Sequence, residues 1–210
     1  DTFNIGGSPV IDLNGGAGAD VFNFAAGASL TGTIDSQADS DTFNYASFGA
    51  AVTVNLSNAS SIDGFDGTVT GLVGSFTNVD AIIGSAMGDT LNGANADAQW
   101  QLTGASAGSY TSTNSLTFTS FENLNGGSTS DTFSIDDGVN FVSTANGGTG
   151  SDTLTFAAYS TARTITLTGV DADDGFSGSE ASLVGGFSGM DTLIGSSASD
   201  TLNGLNSGQW

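Results

Sequence analysis

GGTGSDTLTF, Gly147 to Phe156, holds the unit from which most of the chain is built. Its glycines give a turn whose amides and carbonyls no side chain covers. Asp152 closes the turn, and the run that follows alternates, with Leu154 and Phe156 on one side and Thr153 and Thr155 on the other. Such alternation marks a half-buried strand. Turn, acid and strand recur as GGAGADVFNF (Gly15 to Phe24), GGSTSDTFSI (Gly126 to Ile135), GSAMGDTLNG (Gly84 to Gly93) and GSSASDTLNG (Gly195 to Gly204), with shorter forms at Asp1 (DTFNI) and Asp39 (DSDTFNY).

These words sit on a longer register. Leu13 of LNGGAGAD and Leu124 of LNGGSTSD are 111 residues apart, and the same offset carries Asp41 onto Asp152, Thr53 onto Thr164, Asp63 onto Asp174, Phe76 onto Phe187 and Asp89 onto Asp200. Trp100 and Trp210 close the two copies. The expected organisation is a first unit over residues 1–100 and a second over 101–210, joined as one continuous rod and cut from a longer polypeptide. The turn acids at Asp1, Asp20, Asp41, Asp89, Asp131, Asp152 and Asp200 are spaced by steps of 19 and 21 and by wider steps of 42 and 48. Taken as doubled, the wide steps hide strands at Val52–Leu56, Thr68–Leu72, Trp100–Thr103 and Leu116–Phe121, so each unit reads as coils of roughly 22 residues.

No window shows apolar residues at helical spacing with capping signals, and the Gly, Asn and β-branched content opposes helix. An antiparallel sandwich would suit short strands, but it gives no reason for one word to return at one-coil intervals. A parallel β-solenoid or β-helix does, right-handed as parallel crossovers generally are. In it like stacks on like: Phe3, Phe22 and Phe43 inside, Thr2 and Thr42 outside. One coil cannot bury its own inner face, so the end coils are expected to be covered by further coils or a cap.

Composition narrows function. One basic residue, Arg163, against 22 acidic ones gives a formal charge of −21, which argues against nucleic acid or an anionic membrane as partner. There is no cysteine and no histidine, so any metal site is all-oxygen, which points to calcium or magnesium. No apolar run is long enough to span a membrane. Fourteen phenylalanines and 38% hydrophobic residues in alternation are more than a disordered tract carries.

GGTGSDTLT (Gly147 to Thr155) and GGAGADVFN (Gly15 to Asn23) resemble the calcium-binding nonapeptide of repeats-in-toxin proteins, Gly-Gly-x-Gly-x-Asp-x-apolar-x. WQLTGASAG followed by LTFTSFENLNGG (Trp100 to Gly127) is similar to the long modules of very large secreted bacterial adhesins and surface proteins. The resemblance implies a parallel β-roll or β-helix with Ca2+ held between successive turns by aspartates and glycine carbonyls. By that resemblance the metal residues are Asp131 and Asp152 with Gly126, Gly127, Gly147, Gly148 and Gly150, and then the column Asp1, Asp20 and Asp41 with Gly15, Gly16 and Gly18. The sequence departs from the family in carrying about one nonapeptide per coil. GGSTSDTFS has lost the third glycine, GSAMGDTLN and GSSASDTLN the second, and the turn before Asp41 has none. The alternative is an ordinary corner with no ion, its aspartate bonding its own turn amides. DADDG at Asp171 is not an EF-hand, because position 12 of that loop is Ser182 and not glutamate.

The expected role is structural: a repeat segment of a large secreted fibre or cell-surface protein, stiffened by calcium, its partners being adjacent units of the same or an identical chain. A glycan- or surface-binding adhesion module is the alternative. Ice binding is disfavoured because the Thr-x-Thr pairs do not fall in one column. An enzyme is not expected, since the chain offers carboxylates and little else for proton transfer. The acid pair Asp173 and Asp174 faces Ile62 and Asp63 in the other copy, and Arg163 overlies Val52, which reads as a snorkelling replacement at a strand edge.

Overall fold

The computed structural model describes residues 1–205; Trp210, the expected counterpart of Trp100, lies outside them. The fold is all-β with parallel sheets, and every regular element among the described residues is a strand. The chain divides into two compact units, one made of Asp1–Ala94 with Tyr110–Phe121, the other of Asn95–Ser109 with Glu122–Trp210.

In the first unit one row of strands runs Thr2–Ile5, Val21–Phe24, Thr42–Asn44, Ala81–Ile83 and Ser115–Thr119, each parallel to the next. Its register places Phe3, Phe22, Phe43, Ile82 and Phe118 in one column. Phe22 and Phe43 are fully buried, whereas Thr2 is exposed and Thr42 half-buried, the alternation expected of a two-residue period. Rings stack along the column, Phe3 on Phe22 at 4.7 Å and Phe24 on Tyr45 at 4.4 Å. Each buried phenylalanine contributes about 1.5–3 kcal/mol by leaving water, and each ring pair adds about 0.5–1.5 kcal/mol.

The opposing row of the same unit runs Leu13–Asn14, Leu30–Asp35, Val73–Val79, Phe65–Val69, Thr53–Ala59 and Thr90–Asn92. It is parallel at both ends and antiparallel in the middle, where Phe65–Val69 pairs with a strand on either side. The cause is connection length. Residues 60–64 and 70–72 are too few for the crossover of a dozen or more residues that a parallel pair needs, so the chain can only turn back on itself.

The second unit repeats this plan. Ala98–Gly104, Asp131–Ile135, Thr153–Thr155 and Thr192–Ile194 form a parallel row with Trp100, Phe133, Leu154 and Leu193 in register. Trp100 stacks on Phe133 at 5.3 Å with the rings 7° apart. The other row runs Asn123–Gly127, Thr144–Gly148, Leu183–Met190, Phe176–Glu180, Thr164–Val170 and Thr201–Asn203, again with an antiparallel middle.

Three sequence expectations need revision. The two 48-residue steps each contain a hairpin excursion rather than two plain coils, so the acid following Asp41 in its column is Asp80 and the one following Asp152 is Asp191, each 39 residues on. Asp89 and Asp200 stand instead in the opposing rows, ahead of Thr90–Asn92 and Thr201–Asn203. Arg163 does not snorkel: its guanidinium pairs with the buried Glu180 and lies over the Tyr159 ring at 4.1 Å.

Candidate functional site

The recurring corner forms because the Gly-Gly segment must turn sharply into the next strand, with the acid at its first residue (Asp131) or immediately before it (Asp20, Asp152). Gly148 (φ 94°) and Gly150 (φ 136°) take up backbone that other residues rarely adopt. The glycine-free corner of the first unit keeps the same shape, with Gln37 at φ 77° and Asp39 at φ 81° in the equivalent places. Left-handed backbone costs a non-glycine residue roughly 1–2 kcal/mol.

Five corners turn their carboxylate inward: Asp20, Asp41, Asp89, Asp131 and Asp152 are all 0% exposed, whereas Asp200 is exposed. One oxygen of Asp41, Asp89 and Asp152 accepts a backbone amide from 21 or 37 residues earlier in the chain, whereas both oxygens of the buried Asp131 make no hydrogen bond among the described residues. The Asp20 amide donates to Asp41 Oδ1 at 2.8 Å and the Asp41 amide to Asp80 Oδ2 at 3.0 Å. In the second unit the Asp131 amide donates to Asp152 Oδ1 and the Asp152 amide to Asp191 Oδ2, both at 2.8 Å. At the start of the first column the amino group of Asp1 takes the same place against Asp20 Oδ1, while the Asp1 side chain stays exposed. Successive acids are thus joined amide to carboxylate, and they form a ladder.

The other carboxylate oxygen separates two kinds of corner. Where the second glycine is replaced by serine, that serine saturates the acid: Ser85 donates its amide and hydroxyl to Asp89 at 2.5 and 3.0 Å, and Ser196 both groups to Asp200 at 2.7 Å. At the glycine–glycine corners no hydroxyl is available. Asp20 Oδ2 and Asp152 Oδ2, with Asp41 Oδ2 at the glycine-free corner, are buried and make no hydrogen bond among the described residues. At the glycine–glycine corners Oδ2 presses on the first glycine, so a methyl group built on Gly15, Gly126 or Gly147 would sit 2.5 Å from the Oδ2 of Asp20, Asp131 or Asp152. The acid fills the space that a side chain would need.

Electrostatics follow from this burial. Asp131 is pushed up to about 7 by burial and by the negative charge of Asp152, against the opposing pull of the Trp100 indole. Asp41 rises to about 6, through burial and the charges of Asp20, Asp80 and Asp63, despite the Asp20 amide it accepts. Burial also raises Asp152, with Asp191 and Asp174 nearby, and Asp80, with Asp63 nearby. By contrast Asp200 is lowered by the Ser196 hydroxyl and the Arg163 amide.

No family model, curated protein or solved structure matches the chain. The fit of the corners to a divalent cation therefore rests on their own chemistry. Carboxylate and carbonyl oxygens are the donors a hard cation such as calcium prefers. The orphaned oxygens of Asp20, Asp41 and Asp152 are where positive charge is missing. Among the described residues no group of three or more acids could hold a metal, so backbone carbonyls would have to complete the usual six to eight oxygens. Donor type and charge fit; carboxylate count alone does not fill the shell.

Among the other expected site residues, Gly127 and Gly148 lie opposite each other in register, and the Gly18 amide donates to Asp39 Oδ2 at 3.0 Å. Gly16 takes φ 97° at its corner without close contacts around it. Asp80, Asp191, Asp39 and Asp63 belong to the same ladders, with the Asp39 amide on Asp63 Oδ2 at 3.0 Å, and the glycine rule missed all four. The signal was present for two of them, since DAII at Asp80 and DTLI at Asp191 are acid-then-apolar words without the glycine turn.

Proposed function

We propose that this chain is a structural repeat module, a parallel β-solenoid of short coils with a hairpin excursion in each copy, belonging to a large secreted bacterial fibre or surface protein of the adhesin kind. The observation that supports this reading is the aspartate ladder, built the same way in both units from backbone amides that donate to the carboxylate of the next acid in the row. A site made once for catalysis has no reason to be copied at every corner, whereas a spacer or coat has. Calcium would be held at Asp131, Asp152, Asp20 and Asp41 with carbonyls of the neighbouring glycine turns, where it would offset the charge of stacked carboxylates and stiffen the coils.

Calorimetric titration of the intact chain with calcium at pH 7.5, beside thermal melts with calcium and with chelator, tests the reading. Binding tighter than about 1 mM, the weak end for extracellular modules, with a raised melting temperature is expected; no heat and no shift would remove calcium from it.

One observation favours a second reading, adhesion to glycans. A cleft of about 450 Å³ follows the outward ladder of Asn4, Asn23 and Asn44, whose amides bond one another at 3.1 and 2.9 Å. Hits on a glycan array, abolished by Asn23→Ala, would establish it.

A further inference from the structure

The two units build their hairpin excursion in different registers. In the first, Phe65 faces Val79, Gly67 faces Phe76 and Val69 faces Val73. In the second, Phe176 and Met190 pair in the same way, as do Gly178 and Phe187, but Glu180 faces Leu183, the counterpart of Leu72 and not of Val73. The strand on the other side slips with it: Leu30 pairs with Val73, whereas its counterpart Phe141 bridges to Leu183. The backbone bonds agree, the Leu30 amide donating to the Leu72 carbonyl at 2.6 Å and the Phe141 amide to the Ser182 carbonyl, one place earlier, at 2.7 Å. One step of register exchanges inside for outside, because side chains alternate along a strand. Val73 is 2% exposed and Leu72 half-buried, whereas Leu183 is 0% exposed and Val184 62%.

Glycine placement accounts for the slip. The first unit has positive φ at Gly32 (148°), in the bulge between Leu30 and Thr33, and at Gly71 (70°), in the hairpin turn; the counterparts Ser143 and Ser182 stay out of that region. The second unit has positive φ at Gly186 (80°), where the first has Ser75 outside it. At all three positions glycine stands in the copy whose register needs that backbone, and serine in the copy whose register does not. A methyl group on Gly32 would sit 2.1 Å from the Ile11 carbonyl, and one on Gly186 2.8 Å from the Gly178 carbonyl, so neither register accepts the other's serine there. The first turn closes around Gly71, the Leu72 amide donating to the Val69 carbonyl at 3.0 Å. In the second, Ser182 instead places its amide and hydroxyl on Glu180 Oε2 at 2.7 and 2.5 Å, while Arg163 takes Oε1. The residue left over by this shorter turn is taken up between Leu183 and Phe187.

We infer that the hairpin excursion is a two-register device set by these three glycine–serine positions: one setting buries the valine beside its turn, and the other presents that valine to solvent. The amides and carboxylates of the aspartate ladder are joined alike in both settings, so the surface changes while the coils do not. Calcium has no part in the choice.

The chain has no cysteine, so single-cysteine variants of the full chain report the setting through their rate of reaction with a maleimide. Val184→Cys should react about tenfold or more faster than Val73→Cys, because a buried thiol waits for local opening. Equal rates overturn the device, since the two copies then share one register. Adding Ser143→Gly, Ser182→Gly and Gly186→Ser to Val184→Cys should slow its labelling to the Val73→Cys rate, with circular dichroism showing a folded chain. Unchanged labelling in that folded variant overturns the device. Where it does not fold, the reciprocal exchange decides: Gly32→Ser, Gly71→Ser and Ser75→Gly added to Val73→Cys should speed labelling to the Val184→Cys rate while the urea midpoint shows the chain still folded. Slow labelling there, or loss of fold in both exchanges, means that each copy accepts one register only and overturns the device as well.

Discussion

Arg163 and Glu180 form an ion pair in the second unit at the two positions that Val52 and Val69 hold in the first. Glu180 also accepts the Ser182 amide at 2.7 Å and its hydroxyl at 2.5 Å, and the guanidinium stacks on Tyr159. Both copies fill the same place, one with two apolar side chains and one with two opposite charges. Either substitution alone would strand a charge in this place.

This gives a double-mutant prediction. Glu180→Val alone leaves the cation unpaired in a largely buried place and should cost about 3–5 kcal/mol. Arg163→Val with Glu180→Val restores the arrangement of the first unit, and urea unfolding should find it as stable as the parent or up to about 4 kcal/mol more so. A double variant weaker than Glu180→Val alone would show that the ion pair is not interchangeable with the valines.

Stability should fall as pH rises from acid to neutral. The folded values of Asp131 (about 7) and Asp41 (about 6) lie above the ordinary carboxylate value of 3.8, and Asp80 and Asp152 are raised as well. The fold therefore binds protons more tightly than the unfolded chain. The stability this confers is complete below about pH 4 and is lost as pH rises through 6 and 7. In chelator, the urea midpoint should decline across that window, and Asp131→Asn should flatten the upper part of the decline and stabilise the protein at pH 7.5 by on the order of 1 kcal/mol. A midpoint independent of pH between 4.5 and 7.5, values set by this experiment about the ordinary titration range, would show the carboxylates to be better solvated than their burial implies.

How much of this was legible in the residues depends on distance along the chain. The word Gly-Gly-x-Gly-x-Asp with alternating Thr, Leu and Phe encodes a turn and a strand locally, so the register of Phe3, Phe22 and Phe43 and the contact of Asp131 with Asp152 could be read directly. The hairpin excursions could not be read from the acid spacing, because Val52 to Val79 alternates like any strand and only the shortness of the connections at residues 60–64 and 70–72 betrays the reversal. Nor could the inward turn of the carboxylates. An aspartate beside glycines looks solvent-facing in sequence, and its burial arises from the missing Cβ of Gly15, Gly126 and Gly147.

That packing makes a glycine comparison informative. Gly147→Ala places a methyl 2.5 Å from Asp152 Oδ2 and closer still to the Gly189 carbonyl, so the coil must open, at about 1–3 kcal/mol. Gly88 has ordinary backbone and nothing within 4 Å of an added methyl. Gly88→Ala should be neutral or stabilising by up to about 1 kcal/mol through the unfolded chain. Thermal melts of the two variants separate a glycine required by contact from one merely tolerated; equal effects would dismiss the close approach.

Trypsin offers a direct reading of global stability, because Arg163 is the sole residue it can recognise in the chain. Its side chain is 13% exposed, engaged by Glu180 and Tyr159, and its amide is bound to Asp200 Oδ1 at 2.7 Å. Cleavage therefore requires this part of the second unit to open, and when reclosing outpaces cleavage the rate reports the population of the open form. Digestion should yield two fragments meeting at Arg163, slowly at pH 5 and faster at pH 7.5 once trypsin's own pH dependence is divided out with an unfolded peptide standard. Calcium at pH 7.5 should slow it again if the ion binds the folded corners, by a factor that follows from 1 + [Ca]/Kd. Rapid cutting at every pH would mean that Arg163 is reached by local fraying, and would separate its ion pair from the stability of the ladder.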